Sequence, residues 1–347
     1  MKDNKKSVLV GMSGGVDSSV AIQILKDMNF EVYGITLKLF DWQDSEDAIS
    51  VAKKLSIPHT ILDISKEFKK EIIDNFIDEY HNGRTPNPCI LCNREVKIKY
   101  LIKYADENGI DFIATGHYAR IEKDADRYLL KKSSDLKKDQ SYFLHRLTQN
   151  QLSRILFPLE GMKKEQVRDI ADKIGLNVAQ KKDSQEICFI PENDYSSFVK
   201  KNSKKKFIEG NIVDTDGNIL GKHSGICEYT IGQRKGLGIP SNKPFFVVDI
   251  DARKNIIVVG DNRDILKKEF RVKNLNWISV EKLTEPMSVN VKIRSASREI
   301  PSVIQQSNEA DTVIVKVKEP IRAVTPGQSA VFYDGDTVVG GGIIVKS

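Results

Sequence analysis

The sequence predicts an α/β fold: a parallel sheet covered by helices, followed by a small central β module and a C-terminal β-barrel. Three observations carry that prediction. Over the first 200 or so residues, short apolar runs alternate with helical patterns, as strands and crossover helices do. A lysine-rich run at 200–206 then breaks the alternation. Beyond it come short alternating segments separated by Gly, Asn and Asp turn signals, with no further helix periodicity.

Taken in order, a strand at 8–12 leads into a helix at 18–27, a strand at 32–39 into a helix at 45–55, and a strand at 60–64 into a helix at 68–80. A helix at 94–107 precedes a strand at 112–115, and a helix at 163–174 ends at Gly175, a natural C-terminal stop. The run 200–206 reads as a solvated linker. Gly210-Asn211, Asp216-Gly217 and Asp334-Gly335 read as turns, and 289–293, 312–317, 330–333 and 338–345 as strands. The expected domains are 1–200, 207–268 with its core at 212–260, and 270–347.

Composition narrows the class. With 54 Lys+Arg against 48 Asp+Glu the chain is mildly basic, which permits an acidic partner such as nucleic acid without requiring one. No secretory leader and no bilayer-length apolar window is evident, so a soluble, cytoplasmic protein with no membrane partner is expected. Four cysteines are too few for a disulfide scaffold and suit a reducing compartment.

The stretch GMSGGVDSSV at 11–20 lies where a strand gives way to a helix. Gly14 and Gly15 allow a tight turn that exposes successive N–H groups, and the helix directs its positive end to the same place. That is an anion nest for phosphate or pyrophosphate, formed by Gly11, Met12, Ser13, Gly14, Gly15, Val16, Asp17 and Ser18. Ser13 and Ser18 add hydroxyls, and Asp17 is suited to a magnesium ion carried on the phosphates. The string differs from GxxxxGK[ST] and resembles the signature of the PP-loop ATP pyrophosphatases, of the adenine-nucleotide α-hydrolase-like fold. That resemblance implies cleavage of ATP between its α and β phosphates and adenylation of a carbonyl oxygen.

In RTPNPCILCNR at 84–94, two prolines stiffen a loop and Asn93 is positioned to cap the following helix, which would place Cys92 near a positive helix end and lower its pKa. A lone Cys-x-x-Cys is open to metal, redox and catalytic readings. Structural zinc ranks below catalysis because Cys188 and Cys227 form no second such pair. Cys188, in DSQEICFI, has the apolar flanks of a core cysteine, and Cys227 reads as structural.

Read together, GMSGGVDSS, RTPNPCILCNREVK, ATGHYAR, KDQSYFL, DSQEICFI, YTIGQRKGLGI and the C-terminal RAVTPGQSAVFY resemble the bacterial tRNA-specific 2-thiouridylases over nearly the whole chain. The resemblance implies ATP-dependent sulfur insertion at C2 of a wobble uridine, with Cys92 as nucleophile, Cys188 as persulfide carrier and a Cys92–Cys188 disulfide reduced between turnovers. It implies that Leu37 and Gly116 close around adenine and ribose, and that Asn87, Pro88 and Cys89 hold the target base. His117, Lys138, Asp139, Gln140, Arg294, Ser295 and Gln328 would contact tRNA, and a sulfur carrier or cysteine desulfurase would supply the persulfide. Some relatives carry Asp at the position of Cys89. Here Cys89, Cys92 and Cys188 also make up a thiolate set for a [4Fe–4S] cluster, a competing route for the same reaction. A nucleotide-amidating synthetase and a non-catalytic tRNA-binding or iron–sulfur protein are the rival readings of the same fold.

Overall fold

The computed structural model describes residues 5–176, 187–190, 192, 194–240 and 243–346. Its first layer is a parallel sheet built by β1 (Ser7–Gly11), α1 (Val16–Asp27), β2 (Glu31–Lys38), α2 (Glu46–Lys54), β3 (His59–Asp63) and β4 (Phe112–Ala114). Between β4 and β7 (Ile155–Leu156) the chain forms the hairpin β5 (Ala119–Asp124) and β6 (Arg127–Lys132). The strand order is β3-β2-β1-β4-β7, every pair parallel. Val8, Leu9 and Val10 in β1 are 0–1 % exposed, as a central parallel strand covered on both faces requires. One face packs α1, α2 and the helix Lys164–Lys173 through Val20, Ala21, Val51 and Val167. The other packs Ile98, Leu101 and Ala105 of a long helix at 88–107. The order reverses at β1, between β2 and β4, the point in such sheets where the segments leaving the carboxyl ends of neighbouring strands diverge to form ligand sites.

A helix at 65–81 and a turn at 187–190 meet in an aromatic cluster. Phe189 stands edge-on to Phe68 at 5.6 Å and to Phe76 at 5.5 Å, which pins the backbone beside Cys188. Buried Cys227 closes this cluster, in keeping with a structural thiol.

The central sheet comprises β8 (Gly210–Val213), β9 (Ile219–His223), β10 (Phe246–Asp251) and β11 (Ile256–Gly260), in the order β10-β11-β8-β9. Then follow β12 (Leu266–Trp277), β13 (Met287–Lys292), β14 (Ile300–Gln306), β15 (Thr312–Arg322), β16 (Ser329–Asp334) and β17 (Thr337–Val345). β12 pairs with both β15 and β17, so these strands close into a barrel. All four strands expected in this region are present, and so are the turns at Asp216-Gly217 and Asp334-Gly335.

Two readings are corrected and one element is added. Gly210-Asn211 opens β8 and makes no turn: a Cβ on Gly210 would collide with the Asn255 carbonyl oxygen, so the glycine serves close backbone approach. The run 200–206 is not all linker, since Lys200 and Lys201 belong to the helix Tyr195–Asn202 and Lys200 pairs with Glu228. The hairpin at 119–132 gives no strand signal in the sequence because its strands are charge-rich. It joins the barrel's sheet through Thr337 opposite Lys131, stitching the first layer to the last.

A second stitch yields a prediction. A Cβ on Gly341 of β17 would sit 2.6 Å from the Ala330 carbonyl oxygen and 2.7 Å from Cδ2 of fully buried His145. Gly341→Ala is expected to destabilise the protein by about 1–3 kcal/mol, the usual range for overpacking, read as a lower urea midpoint. An unchanged midpoint would show that the β17 backbone and His145 separate freely.

Candidate active site

The nest forms as the residue types dictate. Gly14 has φ +71°, and a Cβ there would fall 2.8 Å from Asp47 Cβ and 3.2 Å from the Ala48 nitrogen. Both the turn and its packing on α2 therefore demand glycine. Gly15 precedes α1 in extended conformation, and no side chain caps the helix, so its first N–H groups are left to face the nest. The Ser13 nitrogen donates to Ser18 Oγ at 3.3 Å, and the two hydroxyls lie 3.4 Å apart across the turn. Gly116, just past β4, lies so close that a Cβ on it would meet the Ser18 nitrogen at 2.7 Å. Leu37, at the end of β2, is partly buried, and its carbonyl accepts from Gln43 Nε2 at 2.9 Å.

Asp17 departs from expectation. Lys164 Nζ donates to both of its carboxylate oxygens at 2.7 Å, and the Tyr118 hydroxyl donates to Oδ1 at 2.8 Å. A carboxylate so engaged does not fit a magnesium ligand as it stands. Among the described residues, no three His, Cys, Asp or Glu side chains converge as a single metal ion would require.

The thiol loop enters the helix at Pro88, with Asn87 before it and Cys89 in the first turn. Asn93 is not a cap. It is buried within the continuous 88–107 helix, where its Nδ2 donates to the Phe143 carbonyl at 3.2 Å. Cys92 therefore lies in the helix interior, 4 % exposed, and burial pushes its thiol up to about 11, against the pull of Lys97. The expected depression at a helix terminus is overturned. Burial also raises Cys89 and Cys188, although Cys188, unlike the core cysteine its flanks suggested, is exposed.

Sequence reasoning missed Lys97. Its charge acts on all three thiols, and its N–H reaches the Cys92 sulfur. In an α-helix, residues five apart point about 140° away from each other. Residues 93–98 form a π-helical turn, whose wider closure makes five residues about one turn and brings Lys97 beneath Cys92. Burial opposes the charge on Lys97, but the thiols outweigh it and hold its pKa above the ordinary lysine value.

Burial, with Lys97 adding to it, drives His117 down to about 3, so the ring is neutral at physiological pH; its Nδ1 lies 2.8 Å from Thr115 Oγ1. Gln140 clamps Tyr118 by two bonds, accepting from its nitrogen at 2.9 Å and donating to its carbonyl at 2.8 Å. Asp139 accepts from the Ser133 nitrogen at 3.0 Å and the Ser141 hydroxyl at 2.8 Å, and Lys138 is partly buried beside it. Arg294 donates to the Ala323 carbonyl at 3.1 Å and Thr325 Oγ1 at 2.9 Å, with Ser295 next to it. Gln328 Nε2 donates to the Thr85 carbonyl at 2.8 Å, and the Thr85 nitrogen to the Pro326 carbonyl at 2.9 Å. The barrel is thus tied to the thiol loop two residues before Asn87. Of the motif DSQEICFI, residues 183–186 lie outside the described residues.

The thiols differ enough to be ranked. With limiting iodoacetamide at pH 8 and peptide mass spectrometry, Cys188 is expected to label at least about tenfold faster than Cys92 or Cys227, whose raised pKa values leave little thiolate. Equal labelling of Cys188 and Cys92 would contradict this placement.

Comparison with known proteins agrees with the sequence resemblance. Three family models match in series: "tRNA methyl transferase HUP domain" over residues 6–192, "tRNA methyl transferase PRC-barrel domain" over 196–261 and "Aminomethyltransferase beta-barrel domain" over 267–344. A tRNA-specific 2-thiouridylase MnmA from Clostridioides difficile (strain 630) is 52 % identical, covering 99 % of each chain. MnmA 1 from Caldanaerobacter subterraneus subsp. tengcongensis is 51 % identical over 98 % of each chain. MnmA from Acetivibrio thermocellus is 51 % identical over 98 % of this chain and 99 % of its own. With such identity sustained from end to end, the chain belongs to the tRNA-specific 2-thiouridylase family.

Proposed function

We propose that the protein uses ATP to replace the C2 oxygen of a tRNA wobble uridine with sulfur carried as a persulfide on Cys188. The observation that carries this reading is the adjacency of the phosphate nest and the thiols. The phosphate nest at 11–18 packs against Gly116, the adjoining His117 feels the charge of Lys97, and Lys97 in turn acts on Cys89, Cys92 and Cys188.

A carbonyl oxygen is a poor leaving group. Attack by the uridine C2 oxygen on the α-phosphate of ATP releases pyrophosphate into the nest and makes that oxygen part of AMP, which departs readily. The outer sulfur of the Cys188 persulfide then bonds to C2 as the C2–O bond to AMP breaks. Cys92 attacks the Cys188 sulfur, the persulfide S–S bond breaks, and a Cys92–Cys188 disulfide remains for an external dithiol to reduce. At neutral pH Cys92 rests as a thiol, and the Lys97 ammonium supports the sulfur anion as it forms. Neutral His117 leaves Lys97 as the cation acting on these sulfurs.

The wobble base has to leave the anticodon stack to reach these groups. Asn87, Pro88 and Cys89 would receive it, while Lys138, Asp139, Gln140, Arg294, Ser295 and Gln328 would lie along the tRNA, with a persulfide donor reloading exposed Cys188. Two of the family descriptions name methyl transfer, a different group transfer, and the three thiols within reach of one lysine charge favour sulfur.

Cys89→Ser tests the route. Purified in air and supplied with ATP, a persulfide donor and unmodified tRNA, this variant is expected to keep making thiolated nucleoside and AMP at a reduced rate, because both sulfur-handling residues remain. Activity confined to anaerobic, iron-loaded wild-type enzyme and absent from Cys89→Ser would overturn the persulfide route.

A further inference from the structure

Lys164 opens the helix Lys164–Lys173 and is 7 % exposed, an unusual position for a residue whose charge normally stays in water. Its ammonium reaches both oxygens of Asp17 at 2.7 Å and lies 5.8 Å from the centre of the Tyr118 ring, whose hydroxyl holds Oδ1 of the same carboxylate at 2.8 Å. Both partners are fixed from behind. The Lys164 nitrogen donates to Asp135 Oδ2 at 3.1 Å, and Tyr118 is clamped by Gln140.

Asp17 lies in the first turn of α1, directly beyond Gly14 and Gly15. A bare carboxylate there would set a full negative charge beside a nest whose electropositive character comes only from partial charges on N–H groups. Such a charge would repel the triphosphate the nest is shaped to receive. The lysine ammonium cancels it and holds the carboxylate in one orientation.

We propose that Lys164 is a positioning residue of the phosphate nest, neutralising and orienting Asp17 so that the loop at 13–15 can accept a nucleotide triphosphate. The inference rests on the ATP reading above and adds a residue to it that lies outside the PP-loop signature. It also explains a polar cluster that the sulfur chemistry does not use. Removing the lysine alone strands a partly buried carboxylate, whereas removing both charges takes that carboxylate away with its partner.

The test is equilibrium binding of α,β-methylene ATP, which cannot be cleaved at the reactive position, to the full chain and four variants, with thermal melts and tRNA binding measured in parallel. Lys164→Met is expected to weaken the analogue by about tenfold or more with tRNA affinity held, Lys164→Arg to recover part of the loss, and Asp17→Asn to lose less than Lys164→Met. The decisive variant is Lys164→Met with Asp17→Asn, expected to bind the analogue at least about threefold more tightly than Lys164→Met because the stranded carboxylate is gone. Wild-type affinity in Lys164→Met would overturn the proposal. So would a double variant as weak as Lys164→Met, since the lysine would then act on phosphate directly or only through folding. If Lys164→Met fails to melt cooperatively, the double variant still decides between these outcomes. A wild-type protein that binds tRNA but not the analogue would instead bring down the ATP reading, and this inference with it.

Discussion

Two backbones meet above the parallel sheet, and the rest of the site depends on that contact. Gly116, leaving β4, presses against the first turn of α1 so closely that a single Cβ would strike the Ser18 nitrogen and the Asp17 carbonyl carbon, at 2.7 and 2.8 Å. The approach is possible because β1 and β4 are neighbours at the point where strand order reverses, so the segments leaving both strands start side by side. His117 follows Gly116 and lies within the electrostatic reach of Lys97. Lys97 in turn belongs to the helix that carries Cys89 and Cys92. The glycine nest and the thiol-bearing helix are thereby brought together by backbone packing.

The sulfur side is governed by low dielectric. Burial raises Cys89, Cys92 and Cys188, and the charge of Lys97 pulls each of them back. The aromatic plug of Phe189 against Phe68 and Phe76 anchors the turn that carries Cys188, and the barrel reaches across through Gln328 to hold the other side of the thiol loop. A persulfide route needs one carrier open to its donor and one thiol shielded from it. Exposed Cys188 and buried Cys92 match that division.

Much of this was legible in the sequence, for identifiable reasons. The nest could be read because Gly14 and Gly15 permit a backbone conformation few other residues adopt, and the helix and strand alternation followed from burial periodicity. What stayed hidden depends on geometry that residue type does not encode. Lys97 is out of phase with Cys92 in an α-helix and comes into phase only through a π-helical turn. Asn93 looks like a cap but sits inside a helix that begins earlier, at Pro88. Lys164 lies 147 residues from Asp17, so the pairing that displaces a magnesium reading needs the tertiary fold. The hairpin at 119–132 offers only the short run Tyr128-Leu129-Leu130 among charged residues, and its pairing with a barrel strand two hundred residues later needs the tertiary fold.

The central claim is that the oxygen leaving C2 of uridine departs as part of AMP. A tRNA bearing oxygen-18 at C2 of its wobble uridine, taken through one turnover with ATP and persulfide-loaded enzyme, tests it directly by mass analysis of the nucleotide product. The account predicts one labelled oxygen in the phosphate of AMP for each thiolated tRNA. Unlabelled AMP, with the isotope recovered in water, would contradict it.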